Sequence, residues 1–494
     1  MRSPLEPSAP LPGGEDERSR RKEAARRRRI LTGLWRQDLT SEVAAFFPPE
    51  TAGQLASTVD MSKNLMGRAA SDLAALYHEP PVISHDVLDD LEPFTDALDA
   101  SGLWQLSQDN QRSMWAVRES LLRVDWVEAT GKLQFRNVDA DLVWAVADPN
   151  DPDLPVALIE ARPRTFALDG EKPQSRWTWD YIETRTDEGG PFYRVLLPAE
   201  NTNDLKEAKD ITSAILGVDA VEGESFPWRV GDKPVVPYVL FHAMRTGRLW
   251  DGWRLKELVC STLRVGALWS HWGFCVRDAS HPQRWMAGGK VVGGKVVSGG
   301  STAARHEVPL NPASILVIEA EGAGVVQAGQ WQAGCDPERL QLAIQSYERA
   351  ALLDVGLETD DTQRTGAAMS GWAIAIKRSS VREKQQIMEP GRRRGDLLVL
   401  AMAASLLSRF GSMALPEDGW GITYKGLPLS PVEVETRTKQ AKEDIDLGLA
   451  SLVDVLIARN PGWSREQAIA HLEQVRQERA MFAVAQAPRG GFGQ

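Results

Sequence analysis

The sequence predicts a mainly helical α+β protein. Three observations carry this expectation: apolar residues at helical spacing over most of the chain, a run of short aromatic and β-branched segments between residues 121 and 197, and a length of 494 residues. At about 150 residues per domain, that length suggests roughly three units or one large elaborated subunit. A hydrophobic fraction of 43% with 25% charged residues excludes wholesale disorder. Cys260, Cys275 and Cys335 form neither a CxxC pair nor an even framework, which fits a reducing compartment better than a disulfide-stapled secreted protein. The N-terminus lacks the apolar core of a signal peptide, and the longest strongly apolar run, Leu397 to Leu407, is too short to span a bilayer.

Residues 1–17 are rich in Pro and Gly and lead into an Arg-rich stretch, so 1–29 is expected to be a disordered basic arm or the solvated start of a helix. From Ile30 to Tyr77 the pattern is helical, with Ser41 as an expected N-cap and Pro48-Pro49 as a break. Leu65, Ala69, Leu73 and Leu76 share one helical face. A further helix is expected around 105–121. The period then changes: LLRVDWVEA, KLQFRNV, LVWAVAD, PVALIEARP, RWTWDYIETR and FYRVLL alternate and are separated by turn residues, as in an antiparallel β region. Within it, DPNDPD (148–153) lacks the Gly and distal Glu of a calcium loop and is expected to be a plain turn.

Residues 249–274 predict a long helix apolar on nearly every side, with Trp250, Trp253, Trp269 and Trp272 among its large residues, so neighbours must cover it on several faces. AGGKVVGGKVVSGG (287–300) predicts a hairpin with Gly turns, and ASILVIEA (313–320) a strand. Asp336 and Pro337 mark the start of a helix whose stripe is Leu340, Ile344, Tyr347, Ala351 and Val355, ended by Gly356. After a polar loop, a helical region from about 373 to 410 contains Pro390-Gly391, where a kink is expected. The rest is helical in short pieces, with caps expected at Ser430, Ser451 and Ser464.

Candidate chemistry is sparse. GxxxxGK occurs from Gly289 to Lys295, but Val296 stands where a P-loop needs Ser or Thr, and the candidate acid Glu319 follows too soon for an intervening helix and strand. The seven His form no HExxH, zinc spacing is absent, and there is no GxSxG. No catalytic, cofactor-binding or metal-ligating set is expected. Charge is uneven instead: ten basic against six acidic side chains give residues 1–40 a charge of +4, so a formal −11 for the whole chain leaves −15 on the remainder. An acidic body does not condense on phosphates, because DNA affinity comes mainly from Lys and Arg displacing counterions. The 17 Trp fill cores or subunit contacts.

Taken in order, several stretches together resemble the portal proteins of tailed double-stranded DNA bacteriophages. They are SKNLMGRAASDLAALYHEPPVI, VVPYVLFHAMRTGRLWDGWRLKELVCSTLRVGALWSH, DPERLQLAIQSYERAALLDVGL, SGWAIAIKR and the C-terminal GLPLSPVEVETRTKQAKEDIDLGLASLVDVLIARNPGWSREQAIAHLEQVRQER. The resemblance implies a subunit of a ring of about twelve copies at one capsid vertex. It further implies a wing over 30–248 and 373–440, stem helices over 249–276 and 336–356, a clip over 277–335, a tunnel loop over 357–372 and a crown with the tail over 441–494. Implied partners are further copies of the chain, the terminase large subunit, major capsid and scaffold proteins, head-completion proteins and double-stranded DNA passing through, with no membrane and no cofactor. The implied location is the virion, after assembly in the host bacterial cytoplasm, and the implied role is non-enzymatic.

On that reading Asp360, Asp361, Gln363, Arg364 and Thr365 face DNA, while Lys290 and Lys295 lie in the clip where partners dock. Trp250, Trp253, Trp269, Trp272, Arg392, Arg393 and Arg394 are candidates for contacts between subunits, and the basic run 377–394 pairs with a neighbour's acids or meets packaged DNA. Seven acids between Asp336 and Asp361 form either a repelling channel wall or a solvated helix face. The competing expectations are a metal-dependent enzyme such as a nuclease, with acids gathered from distant segments, and a monomeric DNA- or protein-binding adaptor using the 18–29 arm.

Overall fold

The computed structural model describes residues 11–280, apart from short segments at 89, 168–171, 186–189, 200–203, 219–220, 243–246 and 251–255, and then 284–287, 315–318, 327–330, 336–357, 371–411, 413–425, 431–460 and 463–485. In chain order the elements begin α1 (Glu15–Leu31), α2 (Arg36–Phe46), α3 (Pro49–Ala56), α4 (Leu65–Leu73), β1 (Val82–His85), α5 (Glu92–Ala100) and α6 (Leu103–Val117). A β region follows: β2 (Glu119–Val127), β3 (Lys132–Val138), β4 (Val143–Ala147), β5 (Pro155–Phe166), β6 (Gln174–Glu183), β7 (Phe192–Leu197), β8 (Lys209–Asp210), α7 (Thr212–Leu216), β9 (Val221–Glu222), β10 (Arg229–Val230), β11 (Lys233–Pro234) and β12 (Tyr238–His242). Then come α8 (Lys256–Ser280), β13 (Arg284–Ala287), β14 (Ile315–Ile318), β15 (Gln327–Gln330), α9 (Pro337–Asp354), α10 (Gly371–Phe410), β16 (Trp420–Thr423), α11 (Pro431–Asp446), α12 (Leu452–Arg459) and α13 (Arg465–Ala485).

The chain divides into two units. One combines residues 15–71 with 252–359; the other combines 8–14, 72–251 and 360–494. In the first, Trp35, Leu39, Val43, Leu65, Met66 and Ala69 are buried, as are Leu258, Val259, Leu263, Val265 and Ala267 of α8. Gly266 permits the close crossing of α2 and α8, since a Cβ there would lie 3.0 Å from both Leu39 and Trp35. Small hydroxyls on α8 tie down incoming loops: Thr262 Oγ1 accepts from the Met66 amide at 3.1 Å, and Ser270 Oγ accepts from the Asp60 amide at 2.7 Å. Between α8 and α9 the described strands form a small mixed sheet, β13 running parallel to β14 and antiparallel to β15. The expected hairpin over 287–300 lies almost wholly outside the described residues.

Several expectations need correction here. The arm over 1–29 is not disordered throughout, because α1 begins at Glu15. Its first turn carries Glu15, Asp16 and Glu17 and its last turn Arg28 and Arg29, the order that the helix dipole favours. Arg20 pairs with Glu17 at 2.6 Å, Arg27 with Glu23 at 3.0 Å and Arg29 with Asp38 at 2.8 Å, while Ala24, Ala25 and Ile30 are buried. Of the basic residues in 18–29, Arg18 and Lys22 are exposed, Arg20, Arg26, Arg28 and Arg29 are half-buried, and Arg21 and Arg27 are buried. Ser41 is not a cap but lies within α2, its hydroxyl donating to the Gln37 carbonyl at 3.0 Å. The helix expected from 249 is described from Lys256 onward, Trp250 lies in a bend before it, and Trp253 lies outside the described residues. The 105–121 helix ends at Val117, where Arg118 takes a left-handed φ of 76° and turns the chain into β2.

In the second unit, strands β4-β5-β6-β7-β8 form an antiparallel sheet with β9 beside β7, and β12-β2-β3 form another. Helices α6 and α10 pack on the β12-β2-β3 sheet. Leu121, Leu122, Val124, Val239 and Phe241 are buried there, as are Val399, Leu400, Ala403 and Leu406 of α10. On the larger sheet Leu11 joins Ile159, Ala161, Trp179 and Leu196 in a separate core. The antiparallel region expected over 121–197 therefore continues to His242. Helix α10 spans 40 residues and remains helical on both sides of Pro390.

Candidate functional site

The helix pair α8 and α9 is held by specific polar contacts. Asp336 caps α9 by accepting from the amides of Glu338 at 3.0 Å and Arg339 at 3.4 Å, with Pro337 at the first helical position. The indole N–H of Trp269 donates to the Glu348 carboxylate, that of Trp272 donates to the Pro337 carbonyl at 3.0 Å, and Ser261 meets the Tyr347 hydroxyl at 3.3 Å. The ammonium of Lys63 lies 5.2 Å from the centre of the Trp269 ring. Ile344, Ala351, Leu352 and Val355 are buried, whereas Tyr347, expected on the same stripe, is 41% exposed. Gly356, at a φ of 71°, ends the helix as expected.

Several of the candidate residues have partners within the chain. Trp269 and Trp272, expected between subunits, join α8 to α9 inside one chain. Of the acids expected to form a channel wall, Asp336 caps its own helix and Glu348 accepts from Trp269, leaving Glu338 and Asp354 exposed on α9. Asp360, Asp361, Gln363, Arg364 and Thr365, and in the clip Lys290 and Lys295, lie outside the described residues. Trp269→Phe deletes the donor while keeping most of the ring. It is expected to cost about 1.5 kcal/mol, read as a lower unfolding midpoint, because Glu348 is left without its indole partner.

The second unit holds two buried polar networks that the sequence reading missed. In the first, Arg123 on β2 donates from Nη1 to the Tyr238 hydroxyl at 2.7 Å and to Asp180 at 3.1 Å, and its Nε lies 2.6 Å from Asp125. Asp180, fully buried on β6, also accepts from Arg164 at 2.5 and 2.9 Å and from Arg162 at 3.3 Å. Glu160 takes a two-pronged pair from Arg136 at 2.6 and 2.7 Å and a hydrogen bond from Tyr238 at 2.7 Å. Register explains the cluster: Glu160 stands directly opposite Asp180, a like-charge pair that is tolerable only with cations between and around it. Burial alone would push the Asp180 carboxyl up, but Arg123, Arg164 and Arg162 reverse that and hold it below the usual carboxylate range. One sign was legible, because Glu160, Arg162 and Arg164 alternate along β5 and so share a face.

The second network centres on Asp396 of α10, which accepts from the hydroxyls of Tyr77 and of Tyr424, the latter at 2.5 Å. Arg392 donates to Tyr77 at 2.7 Å and to Asn110 at 2.6 Å, and its guanidinium lies 3.6 Å from the centre of the Phe241 ring. Burial pushes the Asp396 carboxyl above its ordinary range despite Arg392 and the two hydroxyls. Arg393 pairs with Glu389 at 2.5 Å, and Arg394 pairs with Asp151 and, at 3.0 Å, with Asp153. The three arginines expected at a subunit or DNA contact thus find partners within their own chain. The 148–153 turn is held by an arginine, and its Asp side chains are the acceptors.

These groups are paired inside the fold, so they provide rigidity more readily than chemistry. Among the described residues no three His, Cys, Asp or Glu side chains gather as a metal site, and no helix is long and apolar enough to cross a membrane. No family model matches the chain, and no curated protein matches it. Among solved structures, a chain from the virion of a native gene transfer agent particle aligns at 13% identity over 84% of this chain and 94% of that one, with a TM-score of 0.41.

Proposed function

We propose that this chain is the subunit of a portal-type ring through which DNA is packed into and released from a capsid, acting by geometry and electrostatics without a covalent step. The observation that carries this reading is the succession of α8, a small mixed sheet and α9, with α9 packed back on α8 by contacts from Trp269 and Trp272. It is joined by the ordered stretches that resemble phage portal proteins. A braced helix pair is suited to a wall that must keep its shape while a stiff polymer passes. The −15 carried outside residues 1–40 would repel phosphate and so lower friction. The segment around β13–β15 is the proposed docking place for a packaging motor and later for head-completion proteins. Other copies of the chain, scaffold and capsid proteins complete the proposed partners, at a vertex of the virion.

Negative-stain microscopy and native mass spectrometry of the purified chain test this directly. A wide ring with a central hole is expected, of about twelve copies if the resemblance extends to symmetry. A protein that stays monomeric at high concentration and under capsid-assembly conditions would overturn the reading.

A further inference from the structure

We infer that one face of the β4-β5-β6-β7-β8 sheet is a recognition groove for a proline-flanked leucine peptide, filled in this chain by its own N-terminal segment and able to take the same motif from outside. The inference goes beyond the ring reading and does not depend on it. It starts from strand register. Trp144 stands opposite Ile159 and Ile159 opposite Tyr181, while Ala161, Trp179 and Leu196 form the next row. Trp177 pairs with Pro163 one row further on. Successive residues of a strand point to opposite faces, so these aromatic side chains share one face. Glu160 and Asp180 project from the other, into the buried ion network.

The occupant of the aromatic face is part of the fold. Leu11 is 1% exposed and packs with Ile159, Ala161, Trp179 and Leu196. Trp144, Trp177 and Tyr181 pack against that cluster and stay half-buried. Leu11 belongs to no helix or strand, and of residues 11–14 it alone is buried: Pro12 is half-buried, and Gly13 and Gly14 are exposed. Gly13 takes a φ of 121°, a conformation open to glycine. A core completed by one side chain from an irregular segment, beside two exposed glycines, is the arrangement of a docked and exchangeable peptide.

The ligand class follows from the residues beside Leu11. Pro10 precedes it and Pro12 follows it. Proline fixes its own φ and confines the residue before it to extended conformations, so a Pro-Leu-Pro sequence favours extended backbone before it docks and loses little freedom on docking. Such a backbone makes no internal hydrogen bonds, which leaves its carbonyls free to accept. Among the described residues no acceptor meets the indole N–H of Trp144 or Trp177, so the groove has donors to offer. Aromatic-lined grooves that hold proline-rich segments are a recurrent mode of peptide recognition.

Peptide exchange tests the proposal. In the full chain carrying a site-specific protease sequence between Gly13 and Gly14, the segment is cut free after folding is complete. The probe is a fluorescent peptide of residues 8–13, Ser-Ala-Pro-Leu-Pro-Gly. The cut chain is expected to raise its anisotropy saturably and the uncut chain less so, because a tethered segment competes at an effective concentration on the order of millimolar. Leu11→Asp in the peptide should weaken binding about tenfold, and Pro10→Gly with Pro12→Gly about fivefold. In the uncut chain Trp177→Ala should speed cleavage at the inserted site several-fold by loosening the seat. A cut chain that stays folded by circular dichroism yet takes up no peptide would overturn the groove. An unchanged cleavage rate in Trp177→Ala would overturn it equally, with no demand on the stability of the cut chain. Cross-linking of Leu11→Cys to Ala208→Cys between two chains, rather than within one, would overturn the assignment of the resident segment to the same chain.

Discussion

Asp180→Ala is expected to lower the stability of the β-rich unit by about 3–5 kcal/mol, the cost of leaving buried cations without their acid. Arg123, Arg162 and Arg164 all converge on this fully buried carboxylate, and without it Arg123 would keep Asp125 as its one close acid, with Glu160 farther off at 3.5 Å. Urea unfolding followed by Trp fluorescence reads the loss. Its pH dependence has a definite sign. The folded-state value of Asp180 is depressed below the unfolded value of about 3.9, so its contribution is full above that pH and disappears as pH falls through the folded value. The gap between wild type and variant should therefore be constant near neutrality and shrink only below about pH 4. A gap that persists in acid would mean that the side chain acts through packing alone.

Gly395→Val is expected to cost about 3–5 kcal/mol by combining overpacking with displacement of a buried cation. A Cβ at this position of α10 would overlap the Phe241 ring of β12. Helix and strand cannot simply separate, because the Arg392 guanidinium stacks on the same ring and is anchored to Tyr77 and Asn110. Phe241→Leu placed in the same chain should recover part of the loss by opening space, a non-additivity that a double-mutant cycle reads directly. Equal losses in the presence and absence of Phe241→Leu would show that the glycine is needed for another reason.

Secondary structure was legible where local chemistry decides it. Asp336 with Pro337, Ser451 with Asp454, and Ser464 with Gln467 mark helix starts that the fold forms with the expected hydrogen bonds. The alternating segments between 121 and 197 became strands because turn residues and period-two patterning agree. Partnership was not legible. Trp269 and Trp272 look like surplus apolar surface until Glu348 and the Pro337 carbonyl, 79 and 65 residues away, receive their indole protons. Arg392 and Arg394 read as part of a basic patch until acceptors from other segments, Tyr77, Asn110, Asp151 and Asp153, meet them. Spacing along one helix reveals which face a side chain occupies, but not what tertiary folding brings against it. The Arg-rich start of the chain follows the same rule. Glu17 and Glu23 come within reach of Arg20 and Arg27 once α1 forms, and Asp38 meets Arg29 from α2.

The division of the chain has a kinetic consequence. Helices α1 to α3 belong with α8 and α9, yet roughly 180 residues of the other unit lie between Ser71 and Gly252. At a synthesis rate of about 5–20 residues per second, Leu39, Val43 and Leu55 would leave the ribosome on the order of 15–60 s before the helix pair that completes their unit. During that interval an apolar helical surface stands open while the intervening unit also awaits α10. Newly made chains should therefore depend on holding factors, and on dilution, to a degree that the stability of the finished fold does not foretell.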